Sequence, residues 1–375
     1  MKIKLAIIFC LVSLLSFSQT SFVINNVRVF DGENVKENVS VLIKDGKIKK
    51  VSSRKLRHNN IIDGTEKTLL PALTNSHVHI WSPASLQQAA KAGVLNVLDM
   101  HAVESVIPML KPYRDSTNYA NYYTSGAAAT VPGGHGTQYG FPTPTLSKPD
   151  EAANFVKGRM DAGAHYLKII QEPWKVTLDA KTVAALVKAT HKLEMKAVVH
   201  ISKVKDAYQV LIDKADGLVH IWDDKEMTKI QLEDLKKETF FVVPTLLTIQ
   251  KVQKAYFNKT EVQTAEKTVF IQKELKKLYD IGVPILAGTD PPNANINFGT
   301  DLYKEMELLK GAGLSNIDVL KSATSLPALH FDLKNIGFIK KGYNADLILV
   351  DGNPVKNLKD MWNTKRIFKN GVEVK

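Results

Sequence analysis

Between Leu69 and Ala287 short apolar runs alternate with amphipathic stretches at helical spacing, the order that predicts a parallel sheet with helices on its faces. Eight runs read as strands: Leu69 to His79, Val94 to Asp99, Tyr122 to Thr130, Tyr166 to Ile170, Lys196 to Ile201, Gly217 to Ile221, Phe240 to Pro244 and Pro284 to Ala287. An α/β chain with eight such strands can close a (β/α)8 TIM-like barrel, which needs roughly 250 residues. The stretch Asp179 to Lys192 illustrates the helical half of the pattern. An Asp cap precedes Val183, Leu186, Val187 and Thr190, which fall on one face.

Both ends of the chain read differently. Val39 to Lys44 and Lys47 to Val51 flank an Asp45-Gly46 turn, and far downstream Arg366 to Phe368 and Val372 to Val374 flank Asn370-Gly371. Neither end has enough strands to cover an apolar face alone. They are therefore expected to combine in one small β-sandwich domain, residues 19–70 plus 335–375, leaving 71–334 for the barrel. The connection from Val131 to Pro142 is too rich in Gly and Pro for regular structure, and a long loop on a compact scaffold is usually functional.

The first residues change the picture of where the protein resides. Met1 to Lys4 is basic, Leu5 to Leu15 is apolar and Ser16 to Gln19 is small and polar, the order of a secretory signal peptide. Residues 1–18 are expected to be removed, giving a secreted or periplasmic protein. No later run approaches the ~20 apolar residues of a span, so no stable membrane insertion is expected afterwards. Cys10, the single cysteine, lies in that segment. A mature chain without thiols must hold any metal with His, carboxylates or a modified side chain.

Apolar content of 44% and charged content of 23% are near the averages of soluble globular proteins and suggest neither disorder nor a fibrous repeat. The net charge of +12 falls to +10 without Lys2 and Lys4. Its lysines are dispersed along amphipathic stretches such as Lys225 to Lys237 and Lys267 to Lys277, as on solvated helix faces, so no nucleic-acid partner is expected. A homo-oligomer is compatible with this composition.

The candidate chemistry sits at strand ends. His77 and His79 close the first strand two residues apart, so both imidazoles project from one face toward one cation. That spacing decides nothing alone. His200 ends the fifth strand, however, His220 ends the sixth and Asp290 follows the eighth, and in a barrel the C-terminal ends of strands converge on one mouth. His58, His101, His165, His191 and His330 lack that placement and read as structural or surface residues. Lys168 on the fourth strand is ambiguous. As an ammonium it would repel cations and would need a salt bridge; as the carbamate formed with carbon dioxide it would be an anionic oxygen ligand.

The order His-x-His, Lys, His, His, Asp on strands one, four, five, six and eight resembles the amidohydrolase superfamily. The segments Ala323 to Ala328 and Ile336 to Pro354 are similar to its imidazolonepropionase and Xaa-Pro dipeptidase-like branch. The resemblance implies two divalent cations, usually zinc: His77 and His79 on one, His200 and His220 on the other, and carboxylated Lys168 bridging them. Asp290 would complete the first cation and act as general base and acid.

Three departures stand out. Ala72 follows Pro71 where the family commonly has glycine; Asn75 occupies a commonly acidic position and, if that acid partners the metal ligands, its neutral amide should alter their basicity slightly; and Ile221-Trp222-Asp223-Asp224 follows His220 where glycine is more usual, which bears on the shape of the substrate pocket. In the long loop His135 and Tyr139 are candidates to polarise a carbonyl or hold a substrate carboxylate, and Trp174 to form a wall.

The expected activity is metal-dependent hydrolysis of a carbon–nitrogen amide bond in a small molecule or short peptide: a dipeptide, an N-acyl amino acid or a cyclic amide. Lactone, ester or phosphotriester cleavage on the same site is the alternative, followed by a non-catalytic binding protein.

Overall fold

Regular alternation of side chains fixes which residues a strand sends to each face, and the internal strands send apolar groups both ways. The computed structural model describes residues 21–375; the expected signal segment and Cys10 lie outside the described residues. The internal strands are β1 (Leu73–Val78), β2 (Val94–Asp99), β3 (Asn121–Thr124), β4 (Leu167–Ile170), β5 (Ala197–His200), β6 (Gly217–Val219) and β7 (Phe241–Val243). All neighbouring pairs are parallel, in a three-stranded sheet β1-β2-β3 and a four-stranded sheet β7-β6-β5-β4.

One continuous eight-stranded ladder was expected; two sheets joined by isolated contacts are found. Ala129 bridges Ile169 beside β4, and Val242 bridges Ile285 beside β7. The expected eighth strand is irregular beyond that bridge. Its backbone nevertheless contacts β1, with Ser76 N donating to Ala287 O (2.9 Å) and Asp290 N to His77 O (2.7 Å). The third strand stops at Thr124 because Gly126 takes φ 63°, outside the extended range.

Leu98, Val198, Val219, Phe241, Val243 and Leu286 form one buried cluster drawn from both sheets and the irregular segment. Val97, Ile169, Val199, Leu218 and Val242 pack on the opposite side with helical residues such as Val183, Leu186 and Val187. The helix carrying these three, Ala180–Lys192, begins where expected: Asp179 accepts from Thr182 N at 2.7 Å.

The terminal stretches meet in a separate eight-stranded mixed sheet. Its main path runs Val372–Glu373, Thr364–Lys369, Leu347–Asp351, Lys67–Pro71, Ser21–Phe30, Val35–Lys44 and Lys47–Ser52, with Ile61–Asp63 pairing Ser21–Phe30. Phe22 and Phe368 lie three strand positions apart on this path yet their ring centroids are 5.1 Å apart, so the sheet curls over its own core. The expected first barrel strand is divided. Lys67–Pro71 belongs to the terminal sheet, and the chain crosses at Ala72, whose N–H donates to Asp346 O (2.9 Å), to begin β1.

Lys369 fastens the two parts together. It is 1% exposed and donates to the carbonyls of Arg114, Ser116 and Tyr119, at 2.6, 2.9 and 2.7 Å, in the connection between β2 and β3.

Candidate metal centre

The expected ligands come together because parallel strands in register deliver their C-terminal ends to one place. Val198 pairs with Lys168 and His200 with Ile170 across β4 and β5, which puts Lys168 two residues below His200. His77, His220 and Asp290 each offer one ligand atom, and these atoms lie within 4.8 Å of one another. Ring centroids step from His79 to His77 (5.2 Å), His77 to His220 (4.9 Å) and His220 to His200 (4.5 Å). All six line a cavity of about 830 Å3.

Hydrogen bonds assign the proton of His220. Thr245 donates its hydroxyl to Pro244 O at 2.8 Å, so at 2.6 Å it can only accept from Nδ1 of His220, leaving Nε2 bare. His79 directs Nδ1 at His101 O, 3.4 Å away, and Nε2 at Oδ1 of Asp290, 2.9 Å away. His77 is 1% exposed and neither ring nitrogen has a hydrogen-bond partner, although Nε2 lies 3.2 Å from Asp290 Oδ1. An orphaned imidazole ring is costly, and a cation on one ring nitrogen, the other keeping the proton, takes up its lone pair. Ligands of one tetrahedral zinc at 2.0–2.1 Å stand about 3.3 Å apart, so the 3.2 and 2.9 Å contacts fit a shared ion.

Charge is arranged to match. Burial drives His77, His200 and His220 well below the usual imidazole value, keeping them neutral. Burial also pushes Lys168 down to about 7, against the pull of Asp290 and Asp99. Both of those acids face His79 instead, at 2.9 and 3.9 Å. Burial acts to raise Asp290, but its contact with His79 outweighs that and holds the carboxyl below the ordinary value.

The backbone is strained here. His220 (φ 70°), Thr245 (φ 49°) and Asp290 (φ 52°) are left-handed non-glycine residues, a cluster typical of functional sites. Gly288 permits the close approach of the irregular segment: a Cβ there would stand 2.5 Å from Val243 Cγ1 and 3.0 Å from His77 N.

The other candidates lie around this centre. His135 packs between His200 and Trp174 at tilted angles, with centroids 5.1 and 5.4 Å away, and burial lowers it to about 4. Tyr139 is partly exposed at the cavity wall beside Phe141 and Trp81, its phenol pushed up to about 12 by burial. Trp174 lines the cavity at 63% exposure, with Tyr256 and Phe257 also at the mouth.

Two expectations need correction. Asn75 makes no hydrogen bond to an imidazole among the described residues; its Oδ1 accepts from His77 N (3.2 Å) and Thr289 N (3.1 Å), bracing the segment that carries Asp290. Of the segment after His220, Ile221 and Asp223 line the cavity as expected, whereas Trp222 is fully buried and donates to Glu274 Oε2 (3.0 Å). His101 is no bystander. It lines the cavity and pins the long loop, accepting from Ala128 N (2.9 Å) through Nδ1 and donating to Gly136 O (3.2 Å) through Nε2.

Two residues went unnoticed in the sequence. Asp99, at the end of β2, accepts from Ile80 N, His101 N and the Tyr122 hydroxyl. Glu172, two residues beyond β4, lies 3.0 Å from Nε2 of His200. The rule that singled out His200, placement at a strand's C-terminal end, would have found both.

The pattern of the amidohydrolase family matches residues 68–374. The chain belongs to the amidohydrolase family. Membership places it among hydrolases that act on carbon–nitrogen bonds. The fold is shared with a solved Xaa-Pro dipeptidase holding methionine in its active site, at TM-score 0.81 and 22% identity over 95% of this chain and 100% of that one. A putative prolidase from Bifidobacterium longum follows, at TM-score 0.79 and 19% identity over 94% of each chain. A 5-methylthioadenosine/S-adenosylhomocysteine deaminase from Dictyoglomus thermophilum is 39% identical over 88 residues. That match spans 21% of this chain and 20% of the deaminase.

Proposed function

We propose that this amidohydrolase cleaves a carbon–nitrogen amide bond of a small substrate, a dipeptide, an N-acyl amino acid or a cyclic amide, with two divalent cations, zinc in the first instance. The observation that carries the reading is the convergence of His77, His79, His220 and Asp290 with two orphaned imidazole nitrogens among them. His77, His79 and Asp290 would hold one cation and His200 and His220 the other. When bound, such cations supply a water acidic enough to attack at neutral pH and polarise the scissile carbonyl.

Lys168 would bridge as its carbamate. An ammonium in this place would face two cations from a buried site, whereas burial already favours the neutral amine that carbon dioxide requires. Oδ1 of Asp290 is committed to His77, His79 and Asn293, whose Nδ2 donates to it at 2.9 Å. Oδ2, which has no hydrogen-bond partner among the described residues, would take a proton and return it to the leaving nitrogen.

His135, neutral and beside His200, is positioned to donate to a substrate carbonyl or carboxylate, and Tyr139 keeps a phenolic proton for the same purpose. Trp174, Tyr256 and Phe257 at the mouth favour a substrate with a bulky apolar group. The two internal sheets with the Ile285 segment are read as a (β/α)8 barrel and the curled terminal sheet as a β-sandwich, and residues 1–18 as a signal for export.

The test is hydrolysis of a panel of dipeptides, N-acyl amino acids and lactones by purified protein before and after chelation. The expected result is cleavage of an amide member, lost on chelation and restored by zinc. Full activity in stripped protein, or cleavage of lactones alone, would reject the proposal.

A further inference from the structure

Glu172 is a buried carboxylate that the reaction above leaves without a task. Because Ile170 pairs with His200 and Gln171 N donates to His200 O at 3.0 Å, the chain leaving β4 carries the next side chain to the His200 ring. Oε2 of Glu172 then lies 3.0 Å from Nε2 of His200, and Oε1 accepts from Ser202 Oγ at 2.7 Å. The Glu172 backbone is fixed as well, its N–H donating to Thr177 Oγ1 at 3.0 Å. The residue is 5% exposed.

Either a proton or a cation must lie between Nε2 and a carboxylate oxygen at this distance; Asp290 gathers two imidazoles, as ligands of one ion do, whereas Glu172 pairs with the single imidazole of His200, which places the proton on Nε2. Nδ1 is then the nitrogen left for a cation. We infer that Glu172, braced by Ser202, is a positioning residue that fixes the tautomer and ring orientation of His200 and thereby sets the affinity of the second cation. The inference rests on the two-cation reading. It parallels the service of Thr245 to His220 on the adjoining strand, with an anion in place of a hydroxyl. An imidazole held by a carboxylate is the more basic ligand, and losing such a partner costs about 10- to 100-fold in metal affinity.

The experiment titrates stripped protein with Co2+, following both stoichiometry and the visible absorption of the bound metal, and with Zn2+ by calorimetry. Wild type should take two ions per chain. Glu172→Leu should retain the first and bind the second about 10- to 100-fold more weakly, with an altered cobalt band. Glu172→Gln should recover most of that loss, because the amide oxygen still accepts from Nε2–H while its NH2 meets Ser202; Ser202→Ala should fall between.

Circular dichroism of the stripped variants separates misfolding from loss of metal. Wild-type affinity and spectrum in folded Glu172→Leu would overturn the inference. So would a folded Glu172→Gln as impaired as Glu172→Leu, which would instead make Glu172 a direct ligand. Wild type that fails to take up a second ion would overturn it together with the reading on which it rests.

Discussion

The hydroxyl of Thr245 stands 2.6 Å from Nδ1 of His220 and donates its own hydrogen bond to Pro244 O, so this contact puts the imidazole proton on Nδ1 and leaves Nε2 bare. Thr245→Val keeps the shape but removes the acceptor. It should weaken the second cation about 10- to 100-fold, while Thr245→Ser should bind like wild type. Zinc calorimetry on the stripped variants checks both.

Gly288 brings the irregular segment against β1, where a Cβ would stand 3.0 Å from His77 N and 2.5 Å from Val243. Gly288→Ala should cost about 1–3 kcal/mol of stability through overpacking and should displace His77. A lowered Tm accompanied by reduced uptake of the first cation is expected. An unchanged Tm with full metal content would show that the backbone yields freely there.

Lys369 distributes its three protons over three carbonyls of the β2–β3 connection. Lys369→Met fills the same space and leaves those acceptors unpaired, so unfolding in urea should show a loss of about 2–4 kcal/mol. Activity at low temperature should survive, because the ammonium lies among main-chain groups of the connection rather than in the cavity.

Asp301 gives a pH dependence of stability with a definite sign. Burial acts to raise its pKa, but Lys304 (2.8 Å), Asn297 N (3.0 Å) and Lys251 (3.2 Å) outweigh it and hold the carboxyl below its ordinary value of 3.8. The folded state thus binds the proton more weakly than the unfolded chain. The stabilisation is present above 3.8 and is lost as the pH falls through the lower folded value. Wild-type Tm should therefore drop more steeply on acidification below pH 4 than that of Asp301→Asn, and parallel curves would contradict the assignment.

Trp174 projects into the cavity mouth at 63% exposure, with His135 packed against one side. If it forms a wall for an apolar substituent, Trp174→Ala should raise KM roughly tenfold for substrates bearing one and leave kcat nearly unchanged. Equal effects on small polar and bulky apolar substrates would assign the ring to loop packing alone.

Much of this was legible because strand periodicity and strand ends are local signals. His77, His79, His200 and His220 could be placed from the residues around them, and the cap at Asp179 appears where the pattern put it. What could not be read depends on partners distant in the chain. Which residues of Ile221 to Asp224 reach the pocket could not be read: the indole N–H of Trp222 is taken by Glu274, 52 positions away. Asn75 looked like a partner of the imidazoles, whereas its contacts are with main-chain N–H groups and the Thr289 hydroxyl.

The break at Ala72 was hidden by an apolar run from Leu69 that serves two sheets in succession. Glu172 and His101 lie just beyond strand ends, where the sequence gives a charge or a ring but not the neighbour that defines its work.

The account stands on a pair of cations gathered by side chains from β1, β4, β5, β6 and the Asp290 segment. Anomalous diffraction at the zinc edge from crystals grown with zinc measures this directly. Two peaks about 4 Å apart are predicted, one bonded to His77, His79 and Asp290 and the other to His200 and His220, with density for a carbamate on Lys168 between them. An absent signal at these residues, or a lone peak elsewhere on the chain, would contradict it.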